Sequence, residues 1–284
     1  MRLAPLLLLV SLTSCGGSSA TTPDGGSATD ASPSDARPSD AGPSSDAAAP
    51  ANVGFITLLS DTAPAHARAS ATFLTGGPAY LCTEQPSGPC ILYRCTPRPG
   101  ASTRPAPHAG VVQLTGLTQP LSLTPATDGS YPASILQTTS LWAGGETLTA
   151  SAPGASVPAF TTSVTTPRRI TLSAPTLPTG DWMIDRAQPI ALTWSGATAE
   201  DIIVTLGVIT LGPLELECVF PASAGSATLP AAALGLLPAG DAYYTMVSRT
   251  RRQLDVSDWR ITLRADTDAI LPDARLVEGQ AVLR

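Results

Sequence analysis

The chain has 284 residues, with 22 acidic and 16 basic side chains, and its formal net charge is −6 at neutral pH. This acidic balance argues against a general nucleic-acid-binding role, because such proteins present a basic surface to the phosphate backbone. With 43% hydrophobic residues, the chain is long enough for two modest domains or one large unit.

The first fourteen residues have the pattern of an export signal. Arg2 supplies a positive charge, and an apolar run extends from Leu3 to Leu12. A mostly apolar run of ten residues fits the core of a signal peptide, whereas roughly 20 apolar residues are needed to span a bilayer. We therefore predict a signal peptide over residues 1–14 and no transmembrane anchor.

The segment Leu12-Thr13-Ser14-Cys15, followed by Gly16-Gly17, resembles the lipobox of bacterial lipoproteins. Membership of that family implies cleavage before Cys15, acylation of its thiol, usually acylation of the new amino group, and anchoring in the cell envelope. Two or more acyl chains hold a protein stably on a membrane, whereas one binds only marginally. The expected location is the outer membrane, on its periplasmic side or at the cell surface. The alternative is an ordinary secretory signal with an incidental cysteine.

Residues 15–51 have the composition of a disordered tether. They are mostly Ser, Ala, Pro, Asp, Gly and Thr, so this segment lacks the apolar side chains needed to bury a core. A short repeat begins at Asp30, Asp35 and Asp40 and carries a proline in each copy. Spaced prolines and like charges favour an extended chain that holds a following domain away from its anchor.

From residue 52 onward the pattern changes to period-two alternation, which predicts strands with one buried face. Turn residues interrupt it about every ten positions, for example at Asp128-Gly129 and Gly144-Gly145. One short helix is predicted from Pro230 to Leu237, begun by proline and stopped by Pro238. The buried positions of the clearest strands are Val112 and Leu114, Leu121 and Leu123, Ile170 and Leu172, Ile190, Leu192 and Trp194, and Trp259, Ile261 and Leu263.

This pattern predicts an all-β fold with two β-sandwich-like modules, residues 52–167 and residues 168–284. The strand Ile190–Trp194, with a tryptophan expected in the core, resembles those of immunoglobulin-like and fibronectin-type-III-like modules. It departs from true immunoglobulin domains because no cysteine precedes that tryptophan within the second module. The whole layout of lipobox, tether and β modules also resembles envelope lipoproteins of high-GC Gram-negative bacteria.

Four cysteines remain once Cys15 is assigned to lipid, and an oxidising compartment favours disulfides between them. Turn residues from Thr83 to Pro89 predict a hairpin that places Cys82 opposite Cys90. The preferred pairing is therefore Cys82 with Cys90 or with Cys95, which leaves Cys218 as a free, buried thiol. Three connectivities are possible in principle, and the alternative is a bridge from Cys218 to Cys95, which would tie the two modules together.

The sequence carries no recognisable catalytic constellation. His66 and His108 are single and lie in Ala- and Pro-rich surroundings, without a partner at metal-ligand spacing. A Gly-x-Ser-x-Gly motif is also missing. We therefore predict a protein that is not an enzyme, with no cofactor and no metal, and place both histidines in exposed loops.

Two groups of acidic residues have weak functional signals. Asp266, Asp268 and Asp273 are the best calcium candidates, but they lack the glycine and the closing glutamate of an EF-hand loop. A solvated loop is the preferred interpretation. Glu215 and Glu217 alternate with leucines and are predicted to lie on an exposed strand face.

A basic ridge is the one predicted surface site. Arg249, Arg251, Arg260 and Arg264 fall on two adjacent strands around a turn, and the alternation directs them outward. Arginine binds phosphate and carboxylate through paired hydrogen bonds, so the ridge suits an anionic glycan, a lipid headgroup or a partner protein. The alternative is a solvated face balanced by nearby aspartates.

The combined expectation is a lipid-anchored envelope protein that serves as a non-enzymatic binding, adhesion or structural module. A glycan is the sharper expected ligand, and a protein of the envelope is the other expected partner. The first alternative is a subunit of a multiprotein envelope complex. The second is an extracytoplasmic hydrolase.

Overall fold

The computed structural model describes residues 51–61, 67–98, 105–135, 140–196, 201–208 and 213–284, and these form an all-β protein. The predicted fold class is confirmed. The strands are β1 (Asn52–Ser60), β2 (Arg68–Leu74), β3 (Tyr80–Ser87), β4 (Cys90–Pro97), β5 (Val112–Thr115), β6 (Leu121–Leu123), β7 (Ser134–Ile135), β8 (Thr147–Ala152), β9 (Phe160–Thr165), β10 (Thr171–Ala174), β11 (Trp182–Ile184), β12 (Ile190–Ser195), β13 (Asp201–Val208), β14 (Leu214–Pro221), β15 (Ser226–Leu229), β16 (Gly240–Val256), β17 (Trp259–Asp268) and β18 (Glu278–Leu283).

A helix is present within the predicted range but is shorter, α1 (Ala231–Leu234), and Pro230 stands before it as the N-cap residue in an extended conformation. The signal peptide, the tether and the lipidation site Cys15 lie outside the described residues, apart from Ala51 at the end of the tether, and remain expectations. Across the part of the chain described, no helix has the length and apolar character needed to cross a membrane.

The strands form one long sheet and two small ones. The long sheet has the order β3-β4-β14-β13-β16-β17-β1-β2-β7, with β18 beside β16 and β11 beside β18. β1 pairs with β17 in parallel, although β1 is the first of the described strands and β17 the last but one. The small sheets have the orders β10-β12-β15 and β6-β5-β8-β9.

Two hydrophobic cores lie on the same face of the long sheet. The first joins β13, β14 and the beginning of β16 to the small sheet of β10 and β12, and includes Leu206, Leu216 and Trp194. The second joins β17, β1 and β2 to the other small sheet, and includes Ile56, Ile261 and Leu148. Each core is the sandwich-like packing of two sheets that the alternation predicted.

The predicted division of the globular part at position 167 requires correction. Strands β3 and β4 precede that position but pair with β14, whereas β17 follows it but pairs with β1. Because the long sheet takes strands from both sides, the two cores do not correspond to two successive segments. At the predicted boundary itself, Trp142 Nε1 donates to the carbonyl of Pro167 at 3.1 Å, and Ser248 Oγ donates to the carbonyl of Arg168 at 2.6 Å.

Two disulfides staple one end of the long sheet. Cys82 bonds to Cys95, one of the two predicted pairings, and Cys90 bonds to Cys218. The expected free thiol at Cys218 is therefore wrong. The physical reason is the length of β3, which continues to Ser87, so that Cys82 faces Cys95 while Cys90 is left to face Cys218 on β14.

The long sheet cannot be flat. The paired residues can be followed from strand to strand across the sheet. In this way Arg94 on β4 aligns with Ala242 near the start of β16, and Asn52 on β1 aligns with Val256 at the end of β16. At ~3.3 Å per residue and ~4.8 Å per strand, a flat sheet would separate Asn52 from Arg94 by roughly 50 Å.

The chain between β2 and β3 brings these two regions together. The Gly76 N–H donates to Asn52 Oδ1 at 3.0 Å, and the Arg98 N–H donates to the Ala79 carbonyl at 2.8 Å. The three steps from Gly76 to Ala79 span at most ~11 Å, and the four from Arg98 back to Arg94 at most ~14 Å. Because their sum is far below the ~50 Å of a flat sheet, the sheet has to curl. Side chains on the face opposite the two cores, such as Ile203 and Asp266, are buried, so the curl encloses this face. We call it the polar face.

Candidate functional site

The polar face is formed by the side chains that point away from both cores. Its centre is buried, with Ile203 and Asp266 each 2% exposed, although both small sheets pack on the other side of the sheet. Towards the edge, side chains of β3 such as Glu84 are exposed. Burial at the centre and exposure at the rim are what a concave surface produces.

A buried ionic network occupies the centre of this face. Arg249 Nε donates to Asp266 Oδ1 at 3.0 Å, and Arg249 Nη1 donates to Glu217 Oε2 at 3.2 Å. Arg264 Nε donates to Asp266 Oδ2 at 2.7 Å. Although burial opposes ionisation, the two guanidinium groups hold the pKa of Asp266 below its usual value. One carboxylate therefore bridges two arginines from neighbouring strands.

This network corrects the predicted basic ridge. Arg249 and Arg264 are 8% and 9% exposed rather than outward-facing, because the curl encloses the face to which the alternation assigns them. Arg260 is half-buried and pairs with Asp255 at 2.9 Å, and only Arg251 of the four is exposed. The basic ridge predicted from the sequence is therefore not formed.

Beside the network, a tyrosine reaches across a glycine to a carboxylate. Glu215, Gly207 and Tyr243 lie in one row on β14, β13 and β16. A Cβ at Gly207 would stand 2.2 Å from the ring of Tyr243, so only glycine lets the ring lie over this strand. The Tyr243 hydroxyl donates to Glu215, and burial raises the pKa of Glu215 despite this hydrogen bond.

The expected exposed face of Glu215 and Glu217 is thus also corrected, since both side chains are partly buried on the polar face. Sequence reasoning missed Tyr243 as a site residue, as well as Tyr93 and Phe55 on the same face. The alternation could have identified these three aromatic residues, because each stands next to a core position of its strand and therefore points to the face opposite the cores. Three of the four tryptophans, Trp142, Trp194 and Trp259, are at most 4% exposed in the two cores.

Carboxyl groups gather where β1 and β17 end. Burial, followed by the charges of Asp61, Glu278 and Asp266, raises the pKa of Asp268 to about 8. Asp268 is 9% exposed, and Asp266 belongs to the ionic network, so these two are not in the solvated loop we expected. Asp273 is exposed and pairs with Arg275 at 2.7 Å. Within the described ranges, no group of three or more metal-ligating side chains has the geometry to hold an ion.

The remaining sequence candidate, His108, is not on a strand of the polar face and lies between β4 and β5. Its backbone N–H donates to Ser156 Oγ at 2.8 Å, and its Nδ1 accepts from the Gly110 N–H at 3.2 Å. It is half-buried and lines a shallow open cavity of 310 Å³ with Thr127 and Ser156. These contacts place His108 in a loop as predicted, but not fully exposed. His66 lies outside the described residues.

No family model and no curated protein matches this chain. One solved structure with some similarity concerns host cell surface retention of a 1.5-MDa bacterial ice-binding adhesin, at 13% identity and a TM-score of 0.18. A second is a Ca²⁺-stabilized adhesin that helps an Antarctic bacterium reach out and bind ice, at 13% identity and a TM-score of 0.17. The matches cover 78% of this chain, and 66% and 50% of those chains. Similarity this low carries no argument about function.

The ionic network predicts a large difference between two arginines of the same strand. Arg249→Met should lower the free energy of unfolding by about 3–5 kcal/mol, because it leaves Asp266 and Glu217 buried beside a neutral side chain. Arg251→Met, on the same face but exposed, should change it by less than ~0.5 kcal/mol. Urea unfolding of both variants measures the difference, and equal losses would contradict the network.

The carboxyl cluster predicts how stability depends on pH. A carboxyl whose pKa rises on folding binds its proton more tightly in the native state, so the free energy of unfolding falls as pH rises. For Asp268 this fall should extend from about pH 4 to about pH 8, at up to ~1.4 kcal/mol per pH unit, and then level off. Asp268→Asn should flatten the profile, whereas the exposed control Asp273→Asn should retain it. Urea unfolding across this range would contradict the assignment if the two variants gave the same profile.

Proposed function

We propose that this chain is a non-enzymatic, lipid-anchored binding module of the bacterial cell envelope, and that its polar face binds a glycan. The observation that carries the proposal is that a partly exposed tyrosine ring, Tyr243, and a partly exposed carboxylate, Glu215, lie together on a concave surface beside the buried ionic network. Binding sites for small ligands are concave and place a few polar groups among apolar or aromatic side chains. The row of Glu215, Gly207 and Tyr243 has this composition.

The charges of the face favour a neutral glycan over an anionic one. Arg249 and Arg264 are already paired with Asp266 and Glu217, so an anionic ligand would have to compete with buried carboxylates. Sugar hydroxyl groups both donate and accept hydrogen bonds, which suits a surface that alternates acceptors with donors. Tyrosine adds an apolar ring and a polar tip at low cost in conformational entropy.

The envelope location in this proposal rests on the sequence alone. An export signal followed by Leu12-Thr13-Ser14-Cys15 supports lipid anchoring, and the Asp-, Ser- and Pro-rich tether supports presentation of the folded part away from the membrane. Disulfides at Cys82–Cys95 and Cys90–Cys218 suit an oxidising compartment outside the cytoplasm.

A glycan array probed with the full-length chain tests the proposal. Thr205 is half-buried on the polar face of β13, so Thr205→Arg should block the surface without removing a partner of the ionic network. We expect at least a tenfold loss of affinity, equivalent to about 1.4 kcal/mol. Thr161→Arg makes the same change at an exposed position of β9 and should leave binding within about twofold.

Two results would contradict the proposal. The first is the absence of glycan binding by the unmodified chain. The second is an equal loss of binding in Thr205→Arg and Thr161→Arg, because the polar face would then not be the site.

A further inference from the structure

The two edges of the long sheet differ in how they are protected. At one end, β7 has only two residues, and such a short strand offers little to a further chain. At the other end, β3 has eight residues, and all from Leu81 to Pro86 are exposed. Among the described strands, only β4 pairs with β3. Glu84 is its one charged side chain, so β3 lacks the density of charge with which proteins usually block an edge.

The hydrogen-bonding register shows which backbone groups of β3 face outward. Cys82 lies directly opposite Cys95, with a Cα separation of 4.0 Å that is typical of a non-hydrogen-bonded pair. Consistently, the Cys95 N–H points away from β3 and donates to the Pro213 carbonyl at 3.0 Å. The N–H and C=O groups of Tyr80, Cys82 and Glu84 therefore point away from β4, as does the carbonyl of Pro86.

Proline ends this row of donors. Pro86 has no N–H, and in a sheet proline is tolerated where its nitrogen faces outward at an edge. Three outward donors remain, at Tyr80, Cys82 and Glu84, and they are symmetric about Cys82. An antiparallel strand of the same sequence centred there would pair Tyr80 with Glu84 of the other copy, and Cys82 with Cys82.

We propose that β3 pairs with β3 of a second copy of this chain, in an antiparallel two-fold arrangement centred on Cys82. Each of the three residue pairs exchanges two backbone hydrogen bonds. The two Glu84 carboxylates lie apart, because each stands opposite a Tyr80 whose hydroxyl can donate to it. A self-complementary patch of this kind is what a two-fold interface requires.

The two disulfides fix the position of the edge strand β3 before any contact forms. Cys82–Cys95 fastens β3 to β4, and Cys90–Cys218 fastens β4 to β14. Because the edge strand is already fixed, pairing costs less conformational entropy than it would for a loose hairpin. Leu81, which is 53% exposed, lies beside the contact and adds apolar surface to bury.

Sedimentation of the full-length chain over a range of concentrations, with Cys15→Ser to keep it free of lipid, tests the pairing. Glu84→Pro removes an outward N–H that β4 does not use, and should raise the dimer dissociation constant at least tenfold. Glu84→Ala removes the charge but keeps the N–H, and should stay within about threefold of the parent. Tyr80→Pro repeats the test at the first residue of the strand, where proline is best tolerated.

A photo-crosslinking residue in place of the exposed Gln85 identifies the occupant independently of these variants. Illumination of cells that produce the full-length chain should give a product of twice its mass, and Glu84→Pro should abolish that product. The proposal is overturned by a monomer at every concentration, by crosslinks only to a protein of another mass, or by equal effects of Glu84→Pro and Glu84→Ala.

Discussion

The hairpin of β16 and β17 is the constraint on which the rest of the structure depends. The first half of β16 packs Tyr244 and Met246 into one core, and its far end contacts the other core through Leu254. β17 then pairs in parallel with β1, which brings the beginning of the globular part to its end. Because one hairpin serves both cores, neither core can form from a continuous half of the chain. Its opposite side supplies Arg249, Arg264 and Asp266 to the polar face.

The same geometry explains why charged residues are buried there. Removing an ion from water is costly, and a buried pair recovers that cost only when its geometry and hydrogen bonds are good. Asp266 meets this condition by accepting from two guanidinium groups, and Glu217 shares the second side of Arg249. Because the charges of this network are paired and buried, the partly exposed groups beside it, Glu215 and Tyr243, lie on a face with little excess charge. This supports the proposal of a neutral, hydroxyl-rich ligand over an anionic one.

Local alternation was sufficient to predict the class of the fold and the inward positions of its strands, from Val112 in β5 to Leu263 in β17. Pro230 and Pro238 were sufficient to predict the short helix between them. Alternation could not predict which strands pair. The parallel contact of β1 with β17 and the bridge from Cys90 to Cys218 join residues that are distant in sequence, and no local signal marks them. Alternation with a period of two also shows only on which face of the sheet a side chain lies. Whether that face is enclosed depends on the curl, so Arg249 and Arg264 were expected at the surface, and Tyr243 was missed.

Peptide mapping of the non-reduced, full-length chain tests the central claim, that the long sheet combines strands from both sides of position 167. The account requires a peptide containing Cys90 to be linked to one containing Cys218, and Cys82 to be linked to Cys95. A free thiol at Cys218, together with a bridge among the three cysteines of the β3–β4 hairpin, would contradict it, because β4 would then have no covalent connection to β14.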